Sequence, residues 1–436
     1  MRLLTAAEAE PAQRRVAGAL AASGLQAGDR VAFLMPSSPE LLCALLGALR
    51  SGVVAVPLNP ALLAEERVVL LDDAEPALVV DSDDALASLL GGPERDIADA
   101  PLSRPMHYTS GTTGRPKGVW SGLLSEADGA ALLAEEAAVW GFDAADVHLV
   151  CSPLHHSVAI RFGAGTLLAG GAVIVLPRFD ARAAAAAIDE HRPTTAFMVP
   201  AHLQRLFSAG ELPDVNSLRL LVHAGAPCPP ALKTAAIEAF GEDAVWEFYG
   251  STEGQFTVCS APEWLERPGT VGRARAGRTL SVDADGTIWC ACPSYARFEY
   301  WRDPEKTATA WRGDAFTVGD IGRLDDGGYL YLDGRRDDLV ISGGVNVYPA
   351  EVEQAIAGMP GVREVAVFGV ADERWGQRVC AAVVGDVMPE DVAAHARAHL
   401  APYKCPKDVF VVAELPHTST GKLRRGALAE LLGLEG

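Results

Sequence analysis

Lysine is scarce in this chain: Lys and Arg together number 37, and only six are Lys (Lys117, Lys233, Lys306, Lys404, Lys407 and Lys422). Ammonium and guanidinium are not interchangeable at a tight anionic site, so a Lys kept against that bias points to a position needing the compact cation. Positive charge is short overall, 37 Lys plus Arg against 57 Asp plus Glu, for a formal net charge of −20. That excludes general affinity for nucleic acid or anionic membrane, both of which need basic patches. It does not exclude an anion in a local pocket. Long apolar runs are missing as well. The most apolar stretch, 41–57, is interrupted by Arg50 and is too short to span a bilayer. Residues 1–15 lack the apolar core of a signal peptide, so a cytoplasmic protein is expected. The eight cysteines contain no CxxC pair. Cys290 and Cys292 lie two apart on an expected strand, but no further ligands stand nearby, so reduced, buried thiols are expected rather than a metal centre.

A chain of 436 residues has room for two or three domains. Apolar runs at 30–35, 53–58, 77–81, 148–152, 172–176, 195–199 and 218–223 read as buried strands. Amphipathic stretches at 40–50, 181–191 and 229–240 read as helices between them. Such alternation predicts parallel sheets covered on both faces, an α/β fold. From 269 to 334 short Gly-punctuated runs (279–282, 287–290, 329–332) predict hairpins or a small barrel. After Asp337 a compact unit of about 100 residues begins. It carries expected strands at 362–370, 379–384 and 408–412, a helix at 390–400 and a final helix from Leu423.

The most informative segment is Tyr108-Thr109-Ser110-Gly111-Thr112-Thr113-Gly114-Arg115-Pro116-Lys117-Gly118. Hydroxyls and glycines followed by one ammonium can bring backbone N–H groups, O–H groups and a cation onto a polyphosphate. It is not a Walker A loop, which needs Ser or Thr after its Lys. Taken alone, a Gly- and Thr-rich stretch is an ordinary turn. Further motifs follow in order: Ala224-Gly225-Ala226-Pro227, Tyr249-Gly250-Ser251-Thr252-Glu253, Val318-Gly319-Asp320, Gly334-Arg335-Arg336-Asp337, 342–351 beginning Ser342-Gly343-Gly344, and Thr418-Ser419-Thr420-Gly421-Lys422.

Together these segments resemble the acyl-adenylating (AMP-forming) superfamily of acyl-CoA synthetases, non-ribosomal peptide adenylation domains and luciferases, most of all the acyl-CoA synthetases. The resemblance runs along nearly the whole chain. It implies a large domain, 1–336, of two doubly wound parallel-sheet subdomains plus a small β-rich subdomain. A mobile α/β lid, 337–436, would hinge near Asp337, with the site between the two. The implied reaction is ATP-dependent activation of a carboxylic acid to an acyl-adenylate, release of pyrophosphate, then transfer to coenzyme A. Both reactants in the first step are anionic, so catalysis needs positive charge and in-line positioning more than proton transfer.

By resemblance, Lys422 bridges substrate carboxylate and α-phosphate, while Glu253 and Thr112 hold Mg²⁺. The nucleotide is bound by Thr109, Ser110, Gly111, Thr113, Gly114 and Lys117 on its phosphates. Gly225, Ala226, Pro227, Tyr249, Gly250 and Thr252 line the adenine, and Asp320 with Arg335 takes the ribose. His156 gates the acyl pocket, and Gly343-Gly344 faces the site for thiol attack. Taken singly, each residue has an ordinary reading: Asp320 sits in a Gly-flanked turn, and Lys422 precedes an expected helix.

Some positions depart from the family. The chain is short, with missing length expected before its start and between 90 and 105. Val318 replaces the usual Thr, and Val345 stands where Glu is frequent. Trp246, Glu247 and Phe248 precede the Tyr-Gly motif, where dicarboxylate-selective relatives place an Arg, so malonate is not expected. Arg161 reads either as a contact for a second polar group or as a solvent-facing residue. An aromatic or medium-chain acid is preferred. Competing readings are transfer to a carrier-protein thiol, an unusual nucleophile such as nitrite in a diazo-forming reaction, and a nucleotide-binding protein without catalysis. A monomer or homodimer is expected.

Overall fold

A computed structural model describes residues 1–109, 117–210, 212–335, 338–342, 345–372, 375–417 and 423–434, with Arg335 and Asn346 described by backbone alone. By internal contacts the chain divides into two compact units, residues 1–280 with 290–316, and residues 281–289 with 317–436.

The first unit is α/β. Its main sheet has five parallel strands in the order Ala172–Val175, Val147–Val150, Thr195–Met198, Leu220–His223 and Val245–Glu247. Antiparallel strands extend it: Leu3–Thr5 beside Ala172–Val175, then Thr257–Ser260 and Thr270–Ala274 beyond Val245–Glu247. The parallel strands are apolar along their length because helices cover both faces; Ala172–Val175, Thr195–Met198 and Leu220–His223 are buried at every position. A second parallel sheet has three strands, with Arg30–Phe33 between Val54–Pro57 and Leu78–Val80.

The helix Pro39–Arg50 is apolar almost all round because it packs between these sheets. Leu42, Leu45, Leu46 and Leu49 share one core with Val31 and Phe33 on one side and Val150 and Val173 on the other. Ser38 caps it, accepting from the Leu41 N–H at 3.0 Å, and Pro39 occupies its first turn, where a missing N–H costs nothing. The helix Ala6–Ala22 opens on a capping box of Thr5 and Glu8.

The second unit contains the antiparallel pair Asp320–Leu324 with Tyr329–Arg335. Its mixed sheet orders Val345–Val347, Val340–Ser342, Gly376–Gly385 and Val362–Asp372, with Asp408–Val411 parallel to Gly376–Gly385. Strand alternation divides Gly376–Gly385 between two cores. Val379, Ala381 and Val383 pack with Val352 and Ile356 of the helix Pro349–Ala357 and Val392 of the helix Pro389–His399. Cys380, Ala382 and Val384 pack with Leu415 and Leu428. The last α-helix is Leu428–Leu431, not a helix from Leu423; Leu423 instead forms an isolated bridge with His417. All eight cysteines are free, and burial pushes thiols such as Cys151 up to about 12. Among the described residues no His, Cys, Asp and Glu cluster could hold a metal, and no helix is long and apolar enough to cross a membrane.

Candidate active site

The strands His107–Thr109 and Lys117–Trp120 pair antiparallel, with Thr109 opposite Lys117. Thr109 and Lys117, on either side of 110–116, are therefore held side by side. Ser110, Gly111, Thr112, Thr113 and Gly114 lie outside the described residues. A third strand, Glu299–Tyr300, joins this small sheet with Tyr300 opposite Val119, and the Trp301 N–H donates to the Gly118 carbonyl at 2.7 Å.

Tyr300 connects this small sheet to the Tyr-Gly-Ser-Thr-Glu motif. Its hydroxyl donates to Glu253 Oε1 at 3.0 Å, and the Glu253 side chain is buried. The motif itself is a tight reversal. Gly250 bridges Gln255, and the Ser251 N–H donates to the Gly254 carbonyl at 2.8 Å. Gly250 is required by this close approach, since a Cβ there would lie 2.7 Å from the Gly254 carbonyl oxygen. The second carboxylate oxygen of Glu253 has no partner among the described residues. It fits Mg²⁺, a hard cation usually bound by one or two carboxylates together with substrate phosphates.

The remaining expected residues of this unit stand at carboxyl ends of the parallel strands, where ligands of open α/β sheets bind. After Leu220–His223 come Gly225, Ala226 and Pro227, all exposed, with Gly225 at φ +91°, a conformation glycine adopts without strain. After Val245–Glu247 come Tyr249, whose ring centroid lies 4.9 Å from that of Phe256, then Gly250, Thr252 and Glu253. After Val147–Val150 come His155 and His156, with ring centroids 4.4 Å apart. His156 is the N-cap of the helix Ser157–Leu168. His107 Nδ1 lies 3.2 Å from the His155 carbonyl oxygen. Burial pushes both His107 and His155 down to about 4, so they are neutral.

A cavity of about 160 Å³ reaches this motif through Ser251, Thr252, Gly254 and Gln255. That is far more than the roughly 10–15 Å³ one water needs. Leu46, Leu49, Leu132, Leu133, Ile160 and Leu168 form its apolar wall. Ser157 and Arg161 of the helix Ser157–Leu168 also line it, whereas His156 does not. Arg161 thus faces the cavity rather than bulk solvent, although 24% of its side-chain surface is accessible.

In the second unit, Asp320 is buried and stands opposite Arg335 in the strand register. Lys422, Asp337 and Gly343-Gly344 lie outside the described residues. The segment 418–422 is bracketed by the His417–Leu423 bridge. Tyr300, Gln255 and the glutamates Glu135 and Glu136 were not anticipated from the sequence. Only the Glu135-Glu136 pair, in an otherwise Ala-rich helix, carried a visible signal.

Residues 2–102 and 104–289 match the AMP-binding enzyme family, and 351–422 match the AMP-binding enzyme C-terminal domain. The chain is 34% identical, over 98% of its own length and 93% of the relative's, to the long-chain-fatty-acid–CoA ligase FadD13 of Mycobacterium tuberculosis. That alignment has 472 positions against 436 residues. Part of the missing length is therefore internal. Among solved structures, ATP-bound MatB from Rhodopseudomonas palustris aligns with a TM-score of 0.84 at 31% identity, covering 98% of this chain and 93% of that one. The o-succinylbenzoate CoA synthetase MenE from Bacillus subtilis, in complex with its acyl-adenylate intermediate, aligns with a TM-score of 0.84 at 28% identity, covering 97% and 92%.

Proposed function

The chain belongs to the AMP-binding enzyme family, and on that premise we propose which of its residues perform the AMP-forming acid–CoA ligation of its relatives. The enzyme activates a carboxylic acid with ATP to an acyl-adenylate, releases pyrophosphate, and transfers the acyl group to coenzyme A. The observation that carries the assignment is the link from the paired Thr109 and Lys117, through Tyr300, to the buried Glu253.

Lys117 and the 110–114 segment take the nucleotide phosphates, and a buried, oriented Glu253 with Thr112 holds Mg²⁺. The metal supplies charge neutralisation on the phosphates when bound. Tyr249 stacks on the adenine, with Gly225, Ala226, Pro227, Gly250 and Thr252 around it, and Asp320 with Arg335 takes the ribose hydroxyls. His156 gates the acyl entrance. The acid's body occupies the cavity behind Ser251 and Thr252, whose apolar wall suits an aromatic or medium-chain skeleton. Residues 337–436 turn about Asp337, so that Lys422 serves adenylation and Gly343-Gly344 serves thiol attack. Free coenzyme A is the acceptor rather than a carrier-protein thiol, in keeping with relatives named as CoA ligases.

The test is pyrophosphate release with ATP and Mg²⁺ over a panel of acids. Glu253→Gln lowers it by roughly 10²–10³-fold, the usual effect of removing one charge-stabilising group. Unchanged release in that variant sinks the assignment of Glu253.

A further inference from the structure

One wall of the cavity holds buried polar atoms that nothing among the described residues satisfies. They are Arg104 Nη1, His107 Nε2, Arg161 Nε, Arg275 Nε, and both Nε2 and Oε1 of Gln255. Arg275 is 1% exposed and Gln255 4%. Native interiors rarely leave such groups unpaired, and several together on one cavity wall mark where something else completes their bonding. The residues that carry these atoms line the cavity, so the unpaired groups lie just behind its surface.

The charge on this wall is out of balance. Arg104, Arg161, Arg275 and Arg278 stand against two carboxylates, Glu135 and Glu136. Both carboxylates are already ion-paired, with Glu135 Oε1 and Arg275 Nη2 in contact but without a hydrogen bond. Glu136 Oε1 lies 2.9 Å from Arg275 Nη1, and Trp140 Nε1 donates to Glu136 Oε2 at 3.1 Å. Glu135 Oε1 lies 3.0 Å from both Arg275 Nη2 and Arg278 Nη2, and Tyr295 donates to Glu135 Oε2 at 2.8 Å. Arg161 comes no nearer than 3.6 Å to Glu136. Burial, opposed by Glu136 and reinforced by Arg275 and Arg104, pulls Arg161 down to about 10.

We propose that Arg161, Arg104 and Arg275, with the Gln255 amide, form a subsite for a second carboxylate at the far end of the acid that is adenylated. This rests on the reading of the cavity as the acyl pocket. A guanidinium fork matches a carboxylate in a way few other groups do. Leu132, Leu133 and Ile160 line the same cavity. A carbon skeleton covers them, whereas a phosphate would leave them against water. The preferred substrate is therefore a dicarboxylic acid with an aromatic or medium-length apolar body.

The test compares matched acids on one skeleton, hexanoate with adipate and benzoate with its carboxyalkyl derivative, by kcat/KM for pyrophosphate release by the full chain. The diacid is favoured by at least roughly 30-fold, the size of a hydrogen bond to a charged partner. Arg161→Met collapses that ratio by roughly 10–100-fold, and Arg161→Lys restores part of it. Preference for the monoacid, or a ratio unchanged in Arg161→Met, overturns the proposal. So does a higher KM for ATP in that variant with an unchanged ratio, which would assign the anion to the nucleotide. Calorimetric binding of adipate without ATP separates the two levels of the account. Adipate binding lost in Arg161→Met, with no adenylation of any acid, keeps the subsite and removes the ligase assignment. Adenylation of monoacids without adipate binding does the reverse. Where Arg161→Met fails to fold, Gln255→Leu and Arg161→Lys carry the same ratio test.

Discussion

Two clusters of buried charge in the first unit are built differently. Lys233 and Glu247 meet at 2.5 Å, one cation to one anion, with Lys233 2% exposed and its ammonium 4.8 Å from the Trp264 ring centroid. His223, fully buried and opposite Glu247 in the strand register, is pushed down to about 4 by burial and stays neutral. The cavity wall around Arg161 carries more cation than carboxylate and faces open space. The Lys233–Glu247 pair balances its charge one to one, although both ring nitrogens of the neighbouring His223 lack hydrogen-bond partners, and the cavity wall does not balance its charge. Buried charge is thus a functional signal only when its partners fail to balance it.

The comparison can be broken by mutation. Lys233→Met leaves the Glu247 carboxylate buried without its cation, so the unfolding free energy in urea falls by about 3–5 kcal/mol. Lys233→Met combined with Glu247→Leu recovers most of it. A neutral single substitution would mean that the pair is not closed. Lys422→Ala is the opposite case: acyl-adenylate formation falls roughly 10²–10³-fold while the melting temperature stays put. Transfer from a supplied acyl-adenylate to coenzyme A falls much less, and equal losses in the two half-reactions would remove the separate role of Lys422. Tyr300→Phe frees Glu253 Oε1 from its donor and lowers pyrophosphate release roughly tenfold, the effect of losing one hydrogen bond to a charged group. An unchanged rate would mean the Tyr300 bond does not orient Glu253.

A further test concerns acid. His148 is buried, its Nδ1 lies 2.8 Å from Thr195 Oγ1, and burial pushes it down to about 3. The unfolded chain takes up this proton as pH falls below about 6.5, and the folded chain does not until about 3. The associated stability is therefore present above 6.5 and lost as pH falls through that window, by about 1.4 kcal/mol per unit. His148→Gln removes this share, so between pH 6.5 and 5 the variant loses roughly 2 kcal/mol less than the parent. Equal losses would assign the acid sensitivity elsewhere.

Much of this arrangement was legible in the sequence. Parallel strands such as 172–176 and 195–199 are continuous apolar runs, and the run 218–223 placed Gly225 just beyond a strand end. Pairings between distant segments were not legible. Tyr300 reaches Glu253 because Glu299–Tyr300 pairs with Lys117–Trp120, and nothing local announces that contact. The arginine sought beside the Tyr-Gly motif at 246–248 is absent there, yet Arg161 arrives from a helix and Arg275 from just beyond a distant strand to line the same cavity. The final helix was read too early because Leu423 continues an apolar pattern but is held in a bridge to His417.

The most direct test of the account is pyrophosphate release by the full chain over the acid panel, each acid with and without coenzyme A. Sustained release that requires ATP, one class of acid and coenzyme A together, with no more than a single turnover when coenzyme A is withheld, is the predicted result. Release that ignores the acid, or that turns over freely without coenzyme A, would contradict it.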